Sequence, residues 1–186
     1  MPALFNSNRR NERSLTVDAA LVRTLYAPLK SLLVGALAAS GLAALVYQQS
    51  GEPVFATLSL ALLLVGGGRV ALAFRFRSKL PDDWPTRESV RRAHRAYVVG
   101  AWAFTFLVGL FGFATIMLSD DLGAPMFVCA FVAGYTAAIT GRNAASLASV
   151  VGQNLFSLLP VGAAALMKGG TAYAMVAVLL LLLLYS

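Results

Sequence analysis

The sequence predicts an all-α membrane protein, a bundle of six transmembrane helices preceded by an amphipathic helix on the cytoplasmic side. Its 186 residues are 59% hydrophobic and 12% charged, too apolar a composition for a soluble domain of this length. The apolar residues are gathered into six segments, and a helix needs roughly 20 such residues to cross a bilayer. We expect these helices at about 29–47, 54–74, 86–118, 124–140, 147–167 and 170–186.

The positions of the 15 Lys and Arg residues predict the orientation of these helices. All of them except Lys168 lie before or at the start of span one, at or after the end of span two, or between spans four and five. They can therefore share one side of the membrane, and cations concentrate on the cytoplasmic side. Both termini are expected in the cytoplasm of a bacterial cell, with the chain in the inner membrane. The net charge of +7 fits this pattern better than it fits binding to nucleic acid.

Residues 1–28 are expected to form a cytoplasmic segment, and residues 29–186 the transmembrane domain. Within the first segment, apolar residues recur at helical spacing over 14–27, and Pro28 marks a break before span one. This amphipathic helix either lies along the inner membrane surface, with Arg23 near anionic lipid, or packs on the bundle as a short connecting helix.

The third helix is expected to project from the membrane. After the turn at residues 81–85, Thr86 can cap a helix that no breaker interrupts before residue 118. At 1.5 Å per residue, it extends roughly 15 Å into the cytoplasm. Its charged face, which includes Glu88 and Arg92, is either simply solvated or a docking surface for a following domain.

Small residues indicate where helices can approach closely in lipid. Span four has the longest such pattern, so it is expected at the centre of the bundle. Any of the small-residue faces can instead serve a homodimer. These residues are Ala130, Gly134 and Ala138 with Ala133, Ala137 and Gly141 in span four, Gly35 and Ala39 in span one, and Gly109 and Gly112 in span three.

Three glycines, Gly66 to Gly68, precede Arg69 near the end of span two. They predict a kink or a close approach of another helix, because glycine weakens a helix by roughly 1 kcal/mol relative to alanine. They do not form a phosphate-binding loop, since no strand precedes them and no Lys-Ser/Thr pair follows. The Arg69 side chain either extends to the inner interface or is buried with a functional role.

Polar residues in span five offer two interpretations. Gln153 and Asn154 lie near its cytoplasmic end, and Pro160 is expected to kink the helix further along. The two amides either join helices to each other or line a small polar cavity. The cavity would include the polar residues at the end of span four, namely Thr140, Arg142 and Asn143.

The sequence offers no catalytic or metal-binding constellation, and no cofactor is expected. His94 is the single histidine and Cys129 the single cysteine, so neither a zinc site nor a disulfide can be assembled from them. We interpret Cys129 as a packed core thiol. No carboxylate lies within the apolar part of any span, which in the third helix is 97–118, whereas ion-coupled transporters keep an ionisable relay at membrane depth. The chain itself is therefore not expected to be an enzyme, and transport is disfavoured.

Three stretches resemble a family of bacterial membrane input modules. They are the run from Leu21 to Gly35, the run from Arg95 to Gly100, and above all Gly134-Tyr135-Thr136-Ala137-Ala138-Ile139-Thr140-Gly141-Arg142-Asn143-Ala144. Such modules are the six-span N-terminal regions of proteins with GGDEF, and often EAL, domains, which make or degrade cyclic di-GMP. Where these proteins often continue with Arg-Pro after the asparagine, this chain has Ala144 and Ala145.

The resemblance implies a sensory module that detects a ligand or membrane signal and controls a C-terminal diguanylate cyclase or phosphodiesterase domain absent from these residues. The last span, about 170–186, is short for a bilayer and has no basic residues after it, so we expect the natural chain to continue. A small transporter or channel is the alternative. The candidate residues for binding a small molecule or lipid, or for coupling, are Tyr135, Thr140, Arg142, Asn143, Gln153, Asn154 and Arg69.

Overall fold

The computed structural model describes residues 20, 22–78, 87–119, 122–143 and 146–185. Every segment that the sequence predicts to cross the membrane contains a helix. We number these α1 to α6, and the described residues contain no strand. Their bounds are α1 Leu29–Ser50, α2 Pro53–Ser78, α3 Arg87–Leu118, α4 Gly123–Asn143, α5 Leu147–Lys168 and α6 Thr171–Tyr185.

Five of these helices, α1 to α5, are long and apolar enough to cross a membrane. Helix α6 is equally apolar but shorter, with 15 residues. Large hydrophobic side chains are exposed on the outer surface of the bundle, among them Val34, Leu64 and Phe127, as lipid contact requires and water does not favour. The expectation of an all-helical membrane bundle is confirmed for the described residues.

Helix α3 lies at the centre of the bundle. In its most apolar stretch 56% of the residues are buried, against 33% in α4. It packs most extensively on α5 and also contacts α1, α2 and α4, while α1 pairs with α2, and α6 packs on α5. The prediction that α4 forms the centre is therefore wrong: Gly134, Ala138 and Gly141 in its small-residue stripe are exposed.

Glycines in α3 and α2 explain which helices pack most closely. A Cβ atom at Gly109 would collide with the Phe156 carbonyl oxygen on α5, and one at Gly112 would lie 2.5 Å from the Val161 Cγ2. A Cβ at Gly66 would lie 2.5 Å from the Ala36 Cβ, which brings α2 against α1. Helix α2 is continuous through the glycine run, so the close approach, and not a break in the helix, accounts for Gly66.

The N-terminal residues that the structure describes pack against the bundle. Residues 22–26 are helical, and Val22, Leu25 and Tyr26 are buried in a core cluster with residues of α1, α2 and α3. The Tyr26 hydroxyl donates to the Ala93 carbonyl oxygen at 2.8 Å. Of the two interpretations of this segment, packing on the bundle describes these residues. Residues 14–19, Leu21 and the predicted Thr86 cap lie outside the described part of the chain.

At the end of the bundle opposite to most of the arginines, the C-terminal ends of α1, α3 and α5 are capped. Gly51 and Gly169 adopt φ values of 72° and 74° after α1 and α5, a conformation that glycine adopts without steric cost. The Lys168 Nζ donates to the carbonyl oxygens of Met117 and Ser119 at 3.4 and 3.0 Å. The one cation predicted on this side thus caps the C-terminal end of α3.

Candidate functional site

The seven candidate residues lie near one end of the bundle, where α1 begins and α4 ends, but they divide into three groups. Asn143 and Gln153 are buried between α3, α4 and α5. Thr140 and Asn154 join α4 to α5 at a more exposed position. Arg69, Tyr135 and Arg142 lie on the side of α4 that faces α1 and α2. Since the first two groups pair α4 with α5, the helix-joining interpretation of Gln153 and Asn154 describes their contacts.

A chain of directed hydrogen bonds links α3, α4 and α5. The Tyr97 hydroxyl donates to the Asn143 Oδ1 at 3.0 Å, and the Asn143 Nδ2 donates to the Gln153 Oε1 at 2.9 Å. The Gln153 Nε2 donates to the Ser149 Oγ at 3.3 Å. Asn143 and Gln153 have exposed fractions of 0% and 1%. We call these four residues the amide chain; each buried amide in it is satisfied, as its burial requires.

Helical spacing places the α5 members of this chain. Ser149, Gln153 and Ser157 recur every four residues and thus lie on one face of α5, and all three are buried. The Ser157 hydroxyl donates to the Gln153 carbonyl oxygen at 2.9 Å and lies 3.1 Å from the Thr136 Oγ1 on α4. A second polar contact therefore joins α4 and α5 beside the amide chain.

The pair formed by Thr140 and Asn154 is less protected. The Asn154 Nδ2 donates to the Thr140 Oγ1 at 3.2 Å, and this contact is exposed at the bundle surface. It does not extend to Arg142, whose NH1 donates instead to the Ser31 Oγ on α1 at 3.0 Å. The single polar cavity that was one interpretation of these residues is therefore not formed by the five together.

Arg69 extends into the bundle. The aliphatic part of its side chain packs over Gly100 on α3, where an added Cβ would be 3.3 Å from the Arg69 Cγ. Its guanidinium carbon lies 5.2 Å from the centre of the Phe104 ring, within the range of a cation–π interaction. The same side chain lies close enough to Tyr135 on α4 to act electrostatically on its hydroxyl. Of the two interpretations of Arg69, burial in the bundle therefore agrees with its contacts.

Arg69 and Arg142 both lie near Tyr135. The Tyr135 ring packs on Phe104 with centroids 5.8 Å apart, and both Arg69 and Arg142 are close enough to act electrostatically on its hydroxyl. The Arg142 Nε is buried and has no hydrogen-bond partner. We call Arg69, Tyr135 and Arg142 the arginine cluster; it places charged groups of α2 and α4 near one tyrosine hydroxyl.

A small cavity adjoins the arginine cluster. Its volume is about 10 Å³, close to the minimum needed to hold one water molecule. Three of the residues that line it are polar, which suits an ordered water better than an apolar guest. The lining residues are Tyr26, Leu32, Arg69, Leu72, Ala96 and Tyr97.

Several members of these networks are not among the predicted site residues. Tyr97, Ser149, Ser157 and Ser31 each provide a hydroxyl group to them. The four-residue spacing of the serines with Gln153 is a sequence signal for the α5 members. Nothing local identifies Tyr97 as the partner of Asn143, because the two are 46 residues apart.

The arrangement can bind and position polar groups. Within the described residues, no group of three or more His, Cys, Asp or Glu side chains is arranged to hold a metal ion. Comparison of the chain with protein-family models, with curated proteins and with solved structures finds no match. Function is therefore inferred from the site and from the sequence motif around Tyr135.

Proposed function

We propose that this chain is the input module of a signalling protein in the bacterial inner membrane. In this proposal six spans place both termini in the cytoplasm, and the bundle controls a C-terminal domain that makes or degrades cyclic di-GMP. The observation that carries the proposal is the arginine cluster, a cationic site built by α2 and α4 among apolar helices. Charged residues inside a membrane bundle are costly and are usually retained for function.

The hydrogen-bond networks supply a route from this site to the end of the chain. Tyr135 and Asn143 both belong to α4, and Asn143 bonds Gln153 on α5. Helix α5 packs on α6. Tyr173, Ala177 and Leu180 of α6 belong to the apolar core cluster that also contains residues of α5. A ligand that prefers one arrangement of α2 and α4 would therefore shift α5 and α6 with them, as two-state signalling requires.

The sequence motif supports the same function. Residues 134–144 carry the resemblance to cyclic di-GMP input modules, and this stretch includes Tyr135, Arg142 and Asn143. This stretch thus contributes Tyr135 and Arg142 to the arginine cluster and Asn143 to the amide chain.

Transport is less well supported. A carrier of ions needs an ionisable relay and an aqueous path, whereas Glu88, in the first turn of α3, is the one carboxylate within α1 to α6. The cavity beside Arg69 has a volume of about 10 Å³, which is close to the minimum for one water molecule. Purified protein in liposomes is therefore expected to give no solute flux. Specific flux through the wild-type protein would favour the transporter alternative.

The decisive test is genetic and biochemical. The reading frame after Ser186 is expected to encode a GGDEF or EAL domain; a stop codon at that position would contradict the proposal. In the full-length protein, Tyr135→Phe is expected to change cyclic di-GMP turnover at unchanged protein level. Arg91→Gln, on the exposed face of α3, is the matched control. Equal turnover in wild type and Tyr135→Phe would argue against the arginine cluster as the input site.

A further inference from the structure

The arginine cluster has more hydrogen-bond donors than the described protein groups satisfy. Arg142 donates to Ser31 through NH1, and the Arg69 guanidinium lies near the Tyr135 hydroxyl. The Arg142 Nε is buried without an acceptor, and the Ser31 hydroxyl accepts the bond from Arg142 with its oxygen while its proton is available for donation. An unmade hydrogen bond of a buried charged group is costly, so these donors favour an added acceptor.

The positive charge of the arginine cluster also has no carboxylate partner among the described residues. In the described part of the chain the carboxylates are Glu52 and Glu88. Glu52 precedes α2 at the opposite end of the bundle. Glu88 pairs with Arg92, and their side chains are exposed by 74% and 79%. The Phe104 ring offsets part of the Arg69 charge, but two guanidinium groups around one tyrosine form an environment that attracts an anion.

The surroundings of the cluster give access from the lipid. Helices α1 and α4 approach each other at Ser31 and Gly35 on α1, but they are not a closely packed pair. On α1, Val34 and Ala38 are exposed, and on α4, Ala138 is exposed next to Tyr135 and Arg142 in helical spacing. An added Cβ at Gly134 or Gly141 would touch nothing. The surface between α1 and α4 beside the cluster, which we call the groove, is therefore apolar and exposed and consists mostly of small residues.

We propose that the arginine cluster binds the phosphate group of an inner-leaflet phospholipid whose acyl chains lie in the groove between α1 and α4. The guanidinium groups of Arg69 and Arg142 form charge-assisted hydrogen bonds to the phosphate oxygens, and the Tyr135 and Ser31 hydroxyls donate to the same group. Guanidinium is the side-chain cation best matched to phosphate. An anionic headgroup such as that of phosphatidylglycerol suits two facing cations better than a zwitterionic one.

This inference names the ligand class of the proposed input site and in that respect rests on the proposed function. A free phosphate ion offers the same chemistry as a lipid phosphate, but only the lipid also fills the apolar groove. Binding is measured directly, independently of cyclic di-GMP turnover. A lipid-binding protein without a signalling output would contradict the function alone, and a signalling protein without lipid binding would contradict this inference alone.

The test uses purified, delipidated protein in detergent, with native mass spectrometry and thermal unfolding as readouts. The probes are phosphatidylglycerol, a diacylglycerol with the same acyl chains, and inorganic phosphate. Phosphatidylglycerol is expected to bind with one tight site and to raise the unfolding temperature, whereas diacylglycerol and inorganic phosphate do neither. Arg142→Gln is expected to weaken lipid binding about ten- to hundredfold, and Arg91→Gln not at all.

Tyr135→Phe keeps the ring packing on Phe104 and removes one donor, so it is expected to fold and to weaken binding about two- to tenfold. Equal affinity of wild type, Arg142→Gln and Tyr135→Phe would overturn the proposal. Diacylglycerol bound as tightly as phosphatidylglycerol would overturn the role of the phosphate. If inorganic phosphate raises the unfolding temperature and phosphatidylglycerol does not, the cluster binds free phosphate, and the proposal that its ligand is a lipid is wrong.

Discussion

Asn143 and Gln153 hydrogen-bond each other across the contact between α4 and α5, with the Asn143 Nδ2 2.9 Å from the Gln153 Oε1. Because the Tyr97 hydroxyl also bonds Asn143, this one side chain holds α3, α4 and α5 together. Asparagine at this position provides both a donor and an acceptor at the same point, which no apolar residue of similar size can do.

Replacing Asn143 is therefore expected to destabilise the bundle. Asn143→Leu leaves the Tyr97 hydroxyl and the Gln153 Oε1 without their partner, and the free energy of unfolding in detergent should fall by about 1–3 kcal/mol. Thr140→Val, in the exposed pair with Asn154, should cost less, about 0.6 kcal/mol. The double variant Asn143→Leu/Gln153→Leu should lose less stability than the sum of the single changes. Strict additivity would show that the two amides are not coupled.

Close packing of α3 on α5 gives a second prediction. Gly109→Val places methyl groups against the Phe156 backbone on α5, and overpacking of this kind costs about 1–3 kcal/mol. Thermal unfolding should shift to a clearly lower temperature. Gly134→Val is the matched control, because a Cβ there meets nothing. If Gly109→Val and Gly134→Val both unfold at the same temperature as the wild type, the close packing of α3 on α5 is refuted.

The stability of the basic end of the bundle should depend on pH at alkaline values. Burial raises the pKa of Tyr26 above its ordinary value, as does the neighbouring Tyr97, while Arg69 opposes the shift. The unfolded chain therefore loses the tyrosine proton before the folded one does. The resulting stabilisation is complete below pH about 10 and is lost as pH rises above that value.

Tyr26→Phe removes this dependence, and it also removes the bond to the Ala93 carbonyl oxygen. Unfolding temperatures measured from pH 8 to pH 11 should fall more steeply in the wild type than in this variant. Tyr47→Phe, at an exposed position near the other end of α1, should leave the wild-type slope unchanged. Parallel curves for wild type and Tyr26→Phe would contradict the prediction.

The planar shape of Arg69 is the basis of a fourth prediction. Arg69→Lys keeps the positive charge but loses the planar guanidinium group that lies over Phe104 and near Tyr135. Such a replacement is not conservative, and the free energy of unfolding should fall by about 0.5–2 kcal/mol. Arg91→Lys at an exposed position is the control. If lysine stabilises the protein as well as arginine does, the charge of Arg69 matters and its geometry does not.

The sequence alone predicts the helices well because their signal is local. Apolar runs and breakers place α1 to α6 close to their observed bounds, and the predicted start of the third helix at residue 86 is one residue from Arg87. The pairing of helices is not local. The small-residue stripe of α4 shows where a helix can approach, but α5 occupies the centre beside α3, and the stripe remains on the surface.

The candidate site was predictable as a set of residues and not as an arrangement. Polar and charged side chains in apolar helices are rare, so Arg69, Asn143 and Gln153 are identifiable from the sequence. Which of them meet depends on the rotation of α4, which turns Asn143 toward α5 and Arg142 toward α1. Helical rotation follows from packing against neighbours, and one sequence does not determine it.

The packing of α3 on α5 also has a consequence for biosynthesis. Gly109 and Pro160 are in contact but are separated by about 50 residues, which a ribosome adds in several seconds at about 5–20 residues per second. During that interval the glycine surface of α3 is already made and its partner is not. The close packing of α3 on α5 can therefore form only late in synthesis, after α4 and α5 have both been made.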